Sequence, residues 1–176
     1  MNLFSLYPKV NYSINDYDKL RVIDITTSLK IKNFFKEYTG ISYTPYFVQD
    51  GERPDNVSQR FYKDPNYDWI VMLVNDRYSI YDDWPKDQET FKRYIIEKYG
   101  SISAASSTIK YYYDADKDII DATTYASLSV SQRSTESVFE HEQRINLNKA
   151  LLKIVSPTNI GSVQSELKSL LVQPIR

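Results

Sequence analysis

The fold of this chain is decided by the stretch from Tyr46 to Asn75, which reads YFVQDGERPDNVSQRFYKDPNYDWIVMLVN. Pro54 and Pro65 each suit the first position of a helix, where a missing backbone N–H costs nothing, and Asp64 suits the cap position before the second. Residues 69–74 are apolar on every side, which is typical of a buried helix, although a buried strand of this length has the same pattern. Because the cap and the proline favour a helix, the stretch predicts a strand, a turn and two helices.

The composition is that of a folded protein without a strong net charge. The chain has 176 residues, of which 41% are hydrophobic and 26% charged, and its net charge is −1. This length suits one ordinary domain or two small ones. The balanced charge provides no long-range field for nucleic acid or an anionic membrane. The sequence has no pattern of a signal peptide and no apolar run of about 20 residues, so we expect neither nucleic acid nor membrane as a partner.

The sequence on either side of the central stretch predicts a mixture of strands and helices, which is an α+β fold. Ahead of it lie a strand candidate at 22–25, a region at 29–38 read as extended or as a short helix ending at Gly40, and a strand at 41–48. Behind it, the pattern predicts a helix at 88–99 capped by Gly100, a Ser/Ala-rich linker at 101–108 and two strands at 109–113 and 119–120. Residues 121–137 are read as a connection or weak strands, and residues 138–148 are a polar stretch. The chain closes with a strand at 150–155 and a last helix from Pro157 to Pro174.

These elements predict four parts of the chain. The compact part is a small β-α-α core, and the other parts are extensions that have little to bury within themselves. The parts are an N-terminal arm at 1–40, the core at 41–100, an extended or β-hairpin region at 101–148, and a C-terminal strand and helix at 149–176.

Residues that carry chemistry are sparse, and the sequence predicts no catalytic, cofactor-binding or metal site. His141 is the only histidine and stands in a charged run, which favours a solvated residue over a general base. The alternating acids 114–118 resemble the start of a calcium loop, but Ile119 and Tyr125 replace the glycine and glutamate that such a loop needs. The pair Asp82–Asp83 has no identifiable partner for glycoside hydrolysis, so a loop role is the interpretation.

The chain is unusually rich in tyrosine, with 16 residues against 7 phenylalanines. Tyrosine is enriched at protein interfaces because it joins a large contact area to a polar tip. The same residues also suit half-buried strands, and the sequence leaves the two uses open. Aromatics interleave with basic residues at 60–63 and 110–112, as in platforms for single-stranded nucleic acid, but these patches are small and neutralised nearby.

Two resemblances follow from these residues. Residues 47–62, with their strand, Gly51-Glu52 turn and following helix, resemble the opening of a LysM module. Arg53 and Pro54 replace the small hydroxyl residues that border the glycan groove of that family, and no closing strand is visible directly after Asn75. The resemblance implies a LysM-like scaffold, with a peptidoglycan-binding module as an alternative function.

The chain as a whole resembles the baseplate wedge proteins of contractile-tailed bacteriophages, with their small LysM-like wedge subunit. The resemblance rests on segments spread along the chain, most specifically the central ones: 7–12 YPKVNY, 53–55 RPD, 61–65 FYKDP, 69–76 WIVMLVND, 81–85 YDDWP and 148–157 NKALLKIVSP.

This resemblance implies a structural, non-enzymatic protein of the virion, located in the tail baseplate and assembled in the host cytoplasm. It would join neighbouring wedges around the central hub, with other wedge proteins and hub or sheath-initiator proteins as partners, no cofactor, and no expected role for peptidoglycan. Affinity in such contacts comes from buried aromatic and arginine anchors. We expect the contact residues to be Phe4, Tyr7, Tyr12, Arg53, Trp84, Tyr111, Tyr112 and Tyr113.

Overall fold

A computed structural model describes residues 3–13, 19–25 and 40–172 of the chain. Its contacts group these residues into two compact units. Unit 1 holds the described residues up to Val48, residues 52–84, and those from Leu151 onward, whereas unit 2 holds residues 49–51 and 85–150. Unit 2 is therefore inserted into the sequence of unit 1. The domain boundaries expected at 40, 100 and 148 stay a prediction.

The described elements are helices and short strands in alternation, which confirms the α+β class. Three turns of 3₁₀ helix at Leu3–Leu6, Pro65–Tyr67 and Pro157–Asn159 lie in unit 1, and one at Val130–Gln132 lies in unit 2. The remaining elements are β1 (Lys9–Ser13), β2 (Lys19–Ile23), β3 (Tyr43–Phe47), α1 (Pro54–Tyr62), α2 (Asp68–Val74), α3 (Gln88–Tyr99), α4 (Ile102–Ser107), β4 (Ile109–Asp114), β5 (Ile119–Ile120), α5 (Ala122–Ser127), β6 (Arg133–Ser137), α6 (Val138–Ala150), β7 (Leu151–Val155) and α7 (Ile160–Val172).

The central stretch forms the predicted strand, turn and two helices. Pro54 begins α1, and Lys63 ends it in the left-handed conformation, with its N–H donating to Gln59 O. Asp64 caps the 3₁₀ turn at Pro65 by accepting from the Asn66 N–H, and α2 follows directly. Trp69, Ile70 and Val71 are buried, whereas residues 72–74 are half-buried, so the run is a core helix with one partly open side.

The strand that pairs with β3 is β7, which comes after the whole of unit 2. The two strands are antiparallel, and Pro45 lies opposite Lys153. The expected strands at 41–48 and 150–155 are thereby confirmed, and the strand that is missing after Asn75 is supplied by the C-terminal part of the chain. Elements β3, α1, α2 and β7 thus follow one another within unit 1 as strand, helix, helix and strand, while kinship with LysM modules stays a prediction.

The core of unit 1 joins α2, β7 and α7 to the N-terminus. Its side chains are apolar or aromatic and almost fully buried, and partly buried hydrophobic side chains of residues such as Ile41, Tyr62 and Leu73 pack against them. The central members are Leu6, Tyr7, Trp69, Ile70, Val155, Ile160, Val163, Leu167 and Leu171.

Unit 2 combines a three-stranded antiparallel sheet, in the order β5-β4-β6, with helices α3 to α6. Asp87 caps α3 by accepting from the Thr90 N–H, and Gly100 ends it at a φ of 84°. A small core forms between α3, α4 and α6, where Phe91, Ile95, Ala105 and Val138 are buried together. The helix at 88–99, its glycine cap and the two strands around the acidic turn are as predicted.

The expectation of a linker and an extended region across 101–148 is wrong where helices form. Residues 102–107, 122–127 and 138–150 are helical, and each segment has a local cap. Ser101 accepts from the Ala104 N–H, and Asp121 accepts from the N–H groups of Thr123 and Thr124. At α6, Ser137 and Glu140 form a reciprocal capping box, in which the Ser137 N–H donates to the Glu140 carboxylate at 2.7 Å.

The N-terminal strands β1 and β2 form an antiparallel hairpin whose ten residues are all exposed. The strand expected at 22–25 is therefore confirmed but lies earlier, at 19–23. The element expected at 29–38 and the helix end at Pro174 fall outside the described residues. No helix among the residues described is long and apolar enough to cross a membrane.

Candidate interaction surfaces

The expected contact residues fall into two groups. Tyr7 and Trp84 are 8% and 5% exposed, and Trp84 Nε1 donates to Glu52 O at 2.8 Å. These two side chains are core residues, so their apolar surface stabilises unit 1 instead of a partner. Phe4, Tyr12 and Arg53 are exposed, and the Arg53 guanidinium pairs with Asp55 at 3.1 Å. The contact role of the exposed residues stays a prediction.

The hairpin of β1 and β2 is amphipathic. Val10 pairs with Val22 and Tyr12 with Leu20, and residues directly opposite each other or two apart share one face of a sheet. These four side chains are between 37% and 59% exposed. We call them the apolar face of the hairpin. The opposite face carries Lys9, Asn11, Ser13, Lys19, Arg21 and Ile23.

A charged and aromatic cluster stabilises the turn between β3 and α1. The Tyr46 hydroxyl donates to Glu52 Oε2 at 2.7 Å and accepts from Arg60, whose guanidinium also pairs with Glu52 Oε1 at 2.8 Å. Burial and the hydrogen bond to Glu52 raise the pKa of Tyr46 to about 12, so its hydroxyl stays protonated. Since Glu52 is 8% exposed, these contacts give its nearly buried carboxylate partners on both β3 and α1.

The tyrosines of β4 are half-buried and pack on neighbouring elements of unit 2. Tyr111 contacts the His141 ring at 5.2 Å between centroids, Tyr112 contacts Tyr125 at 4.7 Å, and the Tyr113 hydroxyl donates to Glu136 at 2.7 Å. Each ring therefore serves the fold with part of its surface. The contact role predicted for the exposed part of these three rings stays a prediction.

Glu136 is the hub of a polar cluster formed by β4, β6 and α6. Arg144 Nε donates to Glu136 Oε1 at 2.7 Å and its Nη2 to Oε2 at 3.2 Å. This pairing lowers the pKa of Glu136 to about 2. His141 belongs to the same cluster, 3.6 Å from Glu136 and with a side chain 17% exposed, so the expectation of a solvated histidine is wrong.

A second carboxylate links α6 to α3. Glu142 accepts hydrogen bonds from the Tyr94 hydroxyl at 3.0 Å, the Tyr99 hydroxyl at 2.6 Å and Lys98 Nζ at 2.9 Å. Burial by itself raises the pKa of Glu142, but the three donors outweigh it and the net pKa is lowered. A buried carboxylate with every partner in place specifies how two helices pack, which suits a structural role.

The acidic turns are organised by backbone hydrogen bonds. Asp114 accepts from the N–H groups of Asp116 and Asp118, and Asp83 accepts from those of Tyr78 and Ser79. Residues 114–118 thus form the turn of the β4–β5 hairpin, and the loop interpretation of Asp82–Asp83 is confirmed. Within the residues that the structure describes, no group of three or more histidine and acidic side chains is placed to hold a metal ion.

A shallow groove of about 340 Å³ lies on unit 1, where the end of α2 meets the sheet. Asn75 lies in it and closes the exposed edge of β7. Its Nδ2 donates to Val71 O at 2.8 Å and to Lys153 O at 2.9 Å, and its Oδ1 accepts from the Lys153 N–H at 2.7 Å. Asn75 is the last residue of the central stretch, but the sequence did not predict its bonds to a strand 78 residues away.

These features are typical of a structural protein: among the described residues, the carboxylates of Glu52, Glu136 and Glu142 are bonded within their own units, and the β1–β2 hairpin exposes apolar side chains. Comparison with known proteins agrees. The family model described as "Base plate wedge protein 53" matches residues 2–131, and the chain belongs to that family. The protein is thus a structural component of the virion, located in the tail baseplate.

One curated relative gives the scale of the similarity. Baseplate wedge protein gp53 of Enterobacteria phage T4 is 25% identical over 103 residues, which are 57% of this chain and 53% of that protein. The chain therefore matches this relative over about half the relative's length. The family match includes the hairpin and the central stretch, so both belong to the part shared with the family.

Proposed function

We propose that this protein joins neighbouring wedges of the baseplate around its central hub, by protein–protein contacts and without catalysis. Its partners are other wedge proteins and the hub or sheath-initiator proteins. The observation that carries this proposal is the exposed apolar face of the β1–β2 hairpin. A hairpin of two strands is marginally stable in water unless it packs on something else. A partner surface would supply that packing.

The chemistry of the apolar face supports contact with protein. Val10, Tyr12, Leu20 and Val22 present an aromatic side chain among aliphatic ones, which is the composition of the energetic centre of many interfaces. The side chain of Phe4, which is 53% exposed, lies close in sequence to this hairpin and adds a second aromatic anchor.

The polar clusters support the absence of catalysis. Glu52, Glu136 and Glu142 each accept hydrogen bonds from side chains of neighbouring elements. A general base needs a carboxylate that can reach a substrate proton, whereas these groups are already bonded to Tyr, Arg or Lys side chains of the same unit. Each carboxylate therefore contributes to packing inside its own unit.

The test is assembly of the purified protein with the other wedge proteins of the same virus. The variant Tyr12→Thr with Val22→Thr removes apolar surface and keeps residues that favour strands. We expect the free protein to stay folded, because the changed side chains are exposed, and its incorporation into wedges to fall at least about tenfold, as for loss of interface hot spots.

The matched control is Asn11→Thr, which changes the opposite face of the same strand. It should assemble like the unchanged protein. Normal assembly of the Tyr12→Thr, Val22→Thr variant, with the protein folded, would show that the hairpin is not the contact. A chain that lacks residues 1–40 also loses Leu6 and Tyr7 from the core of unit 1, so its failure to assemble would not identify the contact, whereas its normal assembly would refute the contact role of the arm.

A further inference from the structure

The hydrogen bonds of the β1–β2 hairpin leave one side of each strand open. The Asp24 N–H donates to Pro8 O at 2.9 Å, which makes residues 8 and 24 a hydrogen-bonded pair in the register of the hairpin. Bonded and non-bonded pairs alternate in antiparallel sheets. Pairs 10/22 and 12/20 are therefore bonded, and the backbone N–H and C=O groups of Lys19, Arg21 and Ile23 point away from β1.

In the other two-stranded sheet of unit 1, formed by β3 and β7, the outward backbone groups at the centre of each strand are not available to a further strand. On β7, the outward N–H and C=O of Lys153 are both bonded by the Asn75 side chain. On β3, the outward position opposite Lys153 is Pro45, which has no N–H to offer. Both edges are thus blocked at their centre, as in proteins that avoid adding a foreign strand.

We propose that a strand of another baseplate protein adds to the outer edge of β2 and extends the hairpin into a three-stranded sheet. This inference rests on the proposed function and names how the contact is made. The β2 strand itself contains no proline. Among the residues that the structure describes, no amide side chain is bonded across its outer edge and no third strand lies beside it. On β1, by contrast, the outward positions are Lys9, Asn11 and Ser13, so this edge presents one basic side chain where β2 presents two.

The two faces of the hairpin specify the chemistry of the added strand. Its residues on the side of Leu20 and Val22 would be apolar, because they extend the apolar face. Its residues on the other side would be acidic, because Lys9, Lys19 and Arg21 lie there without an acid on either strand. None of the strands described in this chain alternates apolar and acidic residues, which points to a different protein and not to a second copy.

The variant Arg21→Pro distinguishes a contact made by the backbone edge of β2 from one made by the side chains of the hairpin. The Arg21 N–H points away from β1, so proline there removes an outward donor and leaves the bonds within the hairpin in place. Its controls are Arg21→Ala, which removes the charge but keeps the N–H, and Asn11→Pro, which makes the same change on the β1 edge. In wedge assembly we expect Arg21→Pro to lower incorporation at least tenfold more than Arg21→Ala, and Asn11→Pro to have little effect.

Hydrogen exchange of the unchanged protein gives a readout that needs no variant. The amide protons of Arg21 and Ile23 should exchange freely in the isolated protein and become protected in the assembled wedge, whereas the Asn11 amide should not gain protection. Free exchange of both amides in the wedge would overturn strand addition. If the Tyr12→Thr, Val22→Thr variant still failed to assemble in that case, the hairpin contact would stand and only its mode would be wrong.

Discussion

Replacing Asn75 by alanine should destabilise unit 1 without touching its apolar core. The Asn75 amide makes three hydrogen bonds, one to Val71 O near the end of α2 and two to the backbone of Lys153 on β7. A hydrogen bond contributes about 0.5–1.5 kcal/mol net. Since Lys153 is exposed, water replaces part of its two bonds, and we expect a loss of about 1–3 kcal/mol in the free energy of unfolding.

Tryptophan fluorescence during urea unfolding reports this loss of unfolding free energy from unit 1 itself. Both tryptophans of the chain, Trp69 and Trp84, belong to unit 1 and are buried. With a denaturant dependence of about 1–3 kcal/mol per molar urea, Asn75→Ala should lower the midpoint by about 1 M. Asn75→Asp keeps the acceptor for the Lys153 N–H but sets a carboxylate against two carbonyl oxygens, so it should be at least as harmful.

The matched control is Asn146→Ala in unit 2. Its amide also makes two backbone bonds, to the N–H and C=O of Lys86 at 2.8 and 2.9 Å, but that unit contains no tryptophan. We expect Asn146→Ala to shift the midpoint of the fluorescence transition less than Asn75→Ala does. Equal midpoints for Asn75→Ala and the unchanged protein would refute the view that this side chain joins α2 to β7.

Two further variants test the polar contacts. The folded pKa of Glu136 is about 2 against an ordinary value of 4.5, so the stability that Glu136 contributes is complete above about pH 5 and is lost as the pH falls from 4.5 to 2. The Glu136→Gln variant should therefore have a free energy of unfolding about 2 kcal/mol lower than that of the unchanged protein at pH 7, and a much smaller difference at pH 2. Urea unfolding followed by circular dichroism measures both differences. An equal difference at the two pH values would contradict the ion pair with Arg144. Trp84→Phe replaces the indole by a smaller aromatic ring and leaves Glu52 O without its buried donor. The variant should be less stable by at least about 2 kcal/mol in the same assay, and an unchanged midpoint would show that this bond is dispensable.

The local elements that the sequence predicts well are those with strong capping and a clear period. Pro54, Asp64 and Gly100 each mark the boundary that they hold in the structure. The helices at 102–107 and 122–127 escaped prediction because six residues are too few to show an apolar stripe. Helix α6 escaped because its surface is largely polar, although Ser137 and Glu140 form the spacing of a capping box three residues apart.

The contact residues show a different limit. Tyr7 and Trp84 are aromatic residues like Phe4 and Tyr12, yet the first two are buried and the last two exposed. Nothing in their local sequence separates the two pairs, because burial depends on which distant side chains pack on them. His141 is a similar case, since its neighbours in sequence are charged but Tyr111 and Glu136 enclose it from other elements.

By itself, the sequence determined the mixed α+β class and the two helices of the central stretch, because these depend on residues close together in the chain. It also determined the resemblance to baseplate wedge proteins, because that resemblance is carried by short motifs that are read directly from the chain. Only the tertiary structure decided that β7 completes the sheet with β3, and that Asn75 closes its edge. Both contacts join residues separated by an inserted unit of the chain, and a local pattern of side chains carries no information about such a partner.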